Sequence, residues 1–217
     1  VASNAGVEGN RWSLDQIVDR EGTLSCNHAV AICTSNVATR DLADAVHALC
    51  QLHGSAPGIV ELASRADSAA SAIPWLAEAA AVFDQERNLL ITLTAAVGPI
   101  PSTPRHAQSE AAISAQRHAL GILAQSSRAG CAIGAALALL LEWHAIRQIL
   151  TAAARRTGVA LLPHNLPTRD ALVVAAQSIA TNPAHGRALA FGAEQLALQH
   201  HGLWQLLASR AEARNAL

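Results

Sequence analysis

Residues 131–141 carry no charged or hydroxyl-bearing side chain. Wound into a helix, such a run is apolar on every side, so other helices must surround it. The run is far short of the ~20 residues that span a bilayer, so it predicts a central core helix and no membrane partner. Gly130 before it and Gly158 beyond it bracket a long helix over residues 130–157. Arg155 and Arg156 favour its C-terminal end through the helix dipole. Gly130, Gly134 and Ala138 recur every four residues and line one face with almost no side chain. That stripe predicts close backbone approach by a neighbouring helix; a face kept open for a ligand is the alternative.

The rest of the chain has a composition to match. Alanine is the commonest residue, aromatics are 3% and charged residues 14% of the 217. This excludes extensive disorder and favours helix over sheet. No segment sustains period-two alternation, and no unit repeats at 20–50 residues. The net charge of −1 and the lack of a basic helix face exclude nucleic acid as a partner. Every basic side chain other than histidine is arginine, 15 in all.

The fold expected is all-α: an irregular up-down bundle of about seven to nine helices without a sheet. Residues 1–10 read as a flexible tail, and residues 11–217 as a single helical-bundle domain. Ser13 and Gln16 have capping-box spacing for a first helix to about Arg20. Residues 23–36 read as a weak helix. Thr39 is placed as the N-cap of a helix ending at Gly54 in a left-handed C′ position. Pro57 opens a short helix to about Arg65, and residues 66–72 form a connector. Long helices follow over 73–97 and 104–127, the latter capped by Thr103 with Pro104 at its first position. Beyond residue 157 come an extended connector to Pro167, a helix over 168–180, and a last helix from Asn182-Pro183. That last helix runs to His201, with a continuation past Gly202 to Arg214 as an option. The three helices at 73–97, 104–127 and 130–157 form the expected centre.

Each of those three helices places ionisable residues in apolar company near mid-length. Glu142 follows Ala138 and Leu139; Glu86 and Arg87 lie among Val82, Phe83, Leu89 and Leu90; Arg117 and His118 lie among Ile113, Leu120 and Ile122. A buried carboxylate must be paired or protonated. Antiparallel pairing of helices of similar length brings their midpoints together. The expectation is a buried polar cluster of Glu86, Arg87, Arg117, His118 and Glu142. It is either a self-satisfied ion-pair network or a ligand pocket.

No metal and no cofactor are expected. Glu-x-x-His is absent, Asp44-x-x-His47 occurs once, and Glu142 and His144 point about 200° apart on a helix. Cys26, Cys33, Cys50 and Cys131 contain no C-x-x-C pair and read as free thiols. Residues 1–10 lack a basic start followed by an apolar run, so no signal peptide is expected and the setting is cytoplasmic. Nucleophile-elbow, P-loop and dinucleotide motifs are absent. His200 and His201 read as a surface doublet. The loop 163–167, stiffened by two prolines around His164 and Asn165, reads as a crossover between helices.

The stretches 41–54 (DLADAVHALCQLHG) and 128–135 (RAGCAIGA) resemble an uncharacterised, all-helical alphaproteobacterial family. The resemblance implies a helical fold and a bacterial source but no activity. In architecture the chain is also similar to ferritin-like and haem-oxygenase-like bundles, which implies nothing about function. The function expected is small-molecule binding or self-association as a homodimer, without catalysis. The competing expectation is a redox or lyase-like enzyme, with Glu142 or His118 as acid–base and the arginines holding an anionic substrate.

Overall fold

A computed structural model describes residues 12–34, 36–65, 73–128 and 130–216. The expected tail and the connector at 66–72 lie outside the described residues. Nine α-helices and one 3-10 turn are found among the described residues, and no strand. They are α1 (Leu14–Glu21), the 3-10 turn (Thr23–Ser25), α2 (Asn27–Ile32), α3 (Thr39–His53), α4 (Ile59–Ser64), α5 (Ile73–Ala96), α6 (His106–Ala124), α7 (Cys131–Thr157), α8 (Arg169–Ile179) and α9 (Pro183–Asn215).

Helix α7 is the centre, as its apolar run requires. Every residue from Cys131 to Trp143 is buried. Gly130 and Gly158 take positive φ angles, +93° and +74°, at its two ends. By length and a mean hydropathy of 1.3, α7 is apolar enough to cross a membrane, which the run 131–141 alone did not indicate. Its apolar window is 89% buried inside the protein, as in a core helix.

The principal partner of α7 is α9, not α5 or α6. The two backbones cross in near contact. A Cβ at Gly134 would stand 2.0 Å from the Leu189 carbonyl oxygen, and one at Gly192 would stand 1.9 Å from that of Cys131. The small-residue stripe is therefore a helix-crossing surface. α9 runs unbroken through Gly202 for 33 residues, so the longer of the two expected end points is the one found. Asn182 caps it, accepting from the His185 backbone N–H at 2.9 Å.

Several local expectations are corrected. Ser13 precedes α1, but its hydroxyl donates to the Asp15 carboxylate and no capping box forms. Residues 23–36 break into the 3-10 turn and α2, because the chain must fold back over α7 and α9 there. Gly54 has φ −73°, so no left-handed cap forms, and Thr39 is the first residue of α3, not its cap. At α4 the cap is reciprocal in part: Glu61 reaches back to accept from the Gly58 N–H at 2.9 Å. α6 starts at His106, after a left-handed Arg105 at φ 58°. Thr103 does not cap it; its hydroxyl is buried and accepts from Arg214 at 2.8 Å.

Candidate functional site

Buried charge in this bundle is divided among separate networks. Near the end of α9, Asp44 accepts from Arg210 and Arg214, and Arg214 also pairs with Asp41 at 2.8 Å. This network locks α9 onto α3. On α5, Glu86 pairs with Arg147 of α7 and accepts from the Trp143 indole N–H at 3.1 Å. Arg147 also donates to the Leu162 carbonyl at 2.6 Å, which ties down the connector before α8. Arg87 lies one residue on and turns elsewhere: to Glu61 at 2.6 Å, Asp84 at 2.7 Å and the His53 carbonyl.

Glu142 belongs to a fourth network, which sequence reasoning did not foresee. Its Oε2 accepts from the Thr23 backbone N–H at 2.8 Å, from the Thr23 hydroxyl at 2.7 Å and from His200 Nδ1 at 2.9 Å. The Trp204 indole donates to the Thr23 hydroxyl oxygen at 3.0 Å and completes the shell. The other carboxylate oxygen lies against Gly22, where a Cβ would come within 2.2 Å of it. His200 Nε2 in turn lies 2.9 Å from His53 Nε2. Exposure along this chain is 1% at Glu142, 0% at His200 and 6% at His53.

The chemistry of three such groups in a row is restrictive. A carboxylate can only accept, so His200 donates to it from Nδ1. One proton is then shared between the two facing Nε2 atoms. With both rings neutral, His53 donates it and presents a bare Nδ1. Among the described residues Nε2 is the one ring atom of His53 with a hydrogen-bond partner. Burial pushes the His53 pKa well below the usual histidine value, and the His200 and Arg87 charges push the same way. His53 is therefore neutral at pH 7.

His53 lines a cavity of about 120 Å3. Its buried walls are Phe83 of α5, Leu120 and Ala124 of α6 and Leu139 of α7; Ser55 and Arg117 lie at its exposed side. Arg117 reaches across to donate to the Ser55 hydroxyl at 3.0 Å.

The five residues expected to cluster are thus dispersed. Glu86, Arg87 and Glu142 are buried but enter three different networks. Arg117 and His118 are exposed, because α6 buries the line Ser109, Ile113, Leu120 and Leu123 and turns 117 and 118 outward. Of the five, Arg117 alone lines this cavity. The sequence reading missed His53 and His200 as site residues. Both signals were present: His53 follows Leu49 by four on the buried stripe of α3, and His200 sits between Leu196 and Trp204 on that of α9. His200 is a core residue, which corrects the surface reading of the doublet.

His201, its neighbour, lies 3.3 Å by Nδ1 from Cys26 Sγ and 2.9 Å by Nε2 from Gln205. This resembles a thiol–imidazole–amide triad in outline. Burial raises the Cys26 pKa above its ordinary value; Ser25 lowers it, and Glu142 and Glu21 raise it further. The thiol stays protonated, the reverse of an activated nucleophile. The loop at 163–167 packs on α7 through the Pro167 carbonyl, 2.9 Å from His144 Nε2, and is not part of the cavity lining. Among the described residues no group of three or more His, Cys, Asp or Glu side chains is arranged to hold a metal ion.

Neutral burial of His53 predicts a pH dependence. Its folded pKa lies below the unfolded value of about 6.5, so the unfolded chain binds more protons once pH falls below that value. Stability is fully present above pH ~6.5 and is lost as pH falls toward the folded pKa. His28 and His164 are shifted in the same direction, with burial the first cause of each. Urea unfolding across this range should show His53→Gln flattening the slope by about one proton, ~1.4 kcal/mol per pH unit. An unchanged slope would remove His53 from the buried neutral class.

The class defined by these features is an all-helical bundle with a buried carboxylate–imidazole chain that ends at a small cavity. The protein belongs to the family of unknown function DUF6975, which matches residues 18–215. No curated protein and no solved structure matches the chain.

Proposed function

We propose that the protein is a small-molecule-binding bundle whose ligand occupies the cavity between α3, α4, α5, α6 and α7. The observation that carries this reading is the cavity's make-up. Apolar walls enclose it, a histidine fixed from behind by Glu142 and His200 stands at its buried side, and Arg117 stands at its mouth. Ligand sites pair apolar walls with a few oriented polar groups in this way. A volume of about 120 Å3 is below the ~300–1,000 Å3 of drug-sized sites, so the ligand is small. His53 and Arg117 are the ionisable residues lining the cavity. A single acid–base group without a paired acid or activated nucleophile favours binding over catalysis.

Gly121 gives a direct test. It lines the cavity, and a Cβ there would meet nothing within 4 Å. Gly121→Leu should therefore be accommodated at its Cβ, narrow the mouth and improve helix propensity. A panel of small metabolites should raise the melting temperature of the parent protein and not of Gly121→Leu. Equal responses would refute the site. A homodimer in a bacterial cytoplasm belongs to the same proposal. Ile122, 62% exposed beside Arg117 and His118 on α6, supports it by offering apolar surface to a second copy. Native mass spectrometry at micromolar concentration should find two copies; a monomer would remove that part.

A further inference from the structure

We propose that the cavity takes a small organic carboxylate, and that its binding draws one proton onto the His53–His200–Glu142 chain. This deepens the binding reading above and rests on it.

The charge balance at the cavity points to an anion. Among the described residues no acidic side chain lines it. Arg117 has the neutral Ser55 hydroxyl as its partner and no carboxylate partner among the described residues. The second guanidinium nearby, Arg87, already has Glu61 and Asp84. An anion entering the mouth thus meets an unneutralised arginine fork, the geometry that carboxylates fit best. The apolar body of such a ligand has Phe83, Leu120 and Leu139 to cover it. His53 and Arg117 line the same cavity of about 120 Å3, so a small molecule there has both within its lining.

The proton follows from how the chain is wired. In the neutral state His53 Nε2–H donates to His200 Nε2, and Nδ1 of His53 is an acceptor, which repels a carboxylate. If one proton enters, His200 becomes the imidazolium, held against the Glu142 carboxylate. His200 then donates from Nε2 to His53 Nε2, and His53 carries its proton on Nδ1. Its free edge has changed from acceptor to donor, and the positive charge is stored next to Glu142. The charges acting on His53 are those of His200 of α9 and Arg87 of α5; Glu142 of α7 reaches it through His200, and Arg117 of α6 shares its cavity. Glu61 of α4 is neutralised by Arg87, and Glu86 is separated from His53 by the Trp143 indole, which it accepts from. Arg87 disfavours a proton on His53. A ligand anion offsets that effect, so binding and protonation support each other.

The test uses benzoate and its neutral isostere benzamide in calorimetric titrations of the full chain at pH 6.5. Two buffers of different ionisation enthalpy give the number of protons exchanged. Benzoate should bind at least about tenfold more tightly than benzamide, with Arg117→Gln removing most of that preference. Proton uptake should approach one per benzoate and vanish in His53→Gln, and benzoate affinity should fall as pH rises from 6 to 8. Equal binding of the two probes overturns the carboxylate assignment, as does no benzoate binding up to about 10 mM while other small metabolites still raise the melting temperature of the parent and not of Gly121→Leu. Binding with no proton uptake, or with uptake that persists in His53→Gln, overturns the proton coupling. Both results differ from failure of the site itself, in which Gly121→Leu binds benzoate as well as the parent does. Arg117 is exposed and outside the core, so Arg117→Gln keeps the charge test available even if His53→Gln folds poorly.

Discussion

Gly192→Ala should lower the melting temperature by roughly 6–12 °C, the result of about 3 kcal/mol in a chain of this length. On an ordinary helix surface the same change gains up to ~1 kcal/mol through helix propensity, so the sign itself is diagnostic. At residue 192 the new methyl would stand 1.9 Å from the Cys131 carbonyl oxygen and 3.0 Å from the Ala135 nitrogen. These are backbone atoms of α7 and cannot rotate away. The helices must slide apart, and the loss spreads along the most extensive helix–helix interface in the fold. Gly134→Ala meets the Leu189 backbone from the other side and should behave alike. Gly121→Ala, with open space around its Cβ, serves as the control and should stabilise. Thermal unfolding of the three variants side by side checks this. A Gly192→Ala protein that melts at or above the parent temperature would sink the close crossing of α7 and α9.

The same crossing shows what the sequence made legible and what it withheld. An apolar run on all sides has one physical outcome, burial, so α7 could be read at once. The four-residue glycine spacing likewise named a contact face, though not its partner. That partner, α9, is separated from α7 by 25 residues, and a long-range pairing leaves no local mark. The polar residues failed for a related reason. Glu142, Glu86 and Arg87 were identified as buried from the company they keep within a turn or two. Their partners depend on how the helices are arranged. Three centrally paired helices would join the three residues to Arg117 and His118. With α9 against α7, Glu142 meets His200 instead. Glu86 finds Arg147, a residue one and a half turns beyond Glu142 on the same helix. Arg117 and His118 sit at the border of a stripe, where a rotation of a few tens of degrees decides between core and solvent. Periodicity alone does not resolve that difference. Thr103 was misread because its hydroxyl suits a cap, yet a buried guanidinium, Arg214, was a stronger demand on it.

Arg147→Met should be the most damaging single change to the polar interior, costing about 3–5 kcal/mol. The pair it breaks is buried on both sides, with side-chain exposures of 9% at Arg147 and 5% at Glu86. The Coulombic gain of such a pair mostly repays desolvation, so its net worth is modest. Removing one partner is different, because the Glu86 carboxylate is left buried with the Trp143 indole as its remaining donor. Adding Glu86→Gln should therefore recover much of the loss. It deletes the orphaned charge while leaving an amide oxygen for the indole N–H. Recovery should be incomplete, since Arg147 also holds the Leu162 carbonyl. Chemical denaturation of the two single variants and the double variant gives the coupling energy directly. Hydrogen exchange separates the second role: amides of the connector before α8 should lose protection in both variants that lack Arg147, and keep it in Glu86→Gln alone. A cost below about 1 kcal/mol for Arg147→Met would mean that water reaches the pair, and Glu86 would then rank with the surface carboxylates.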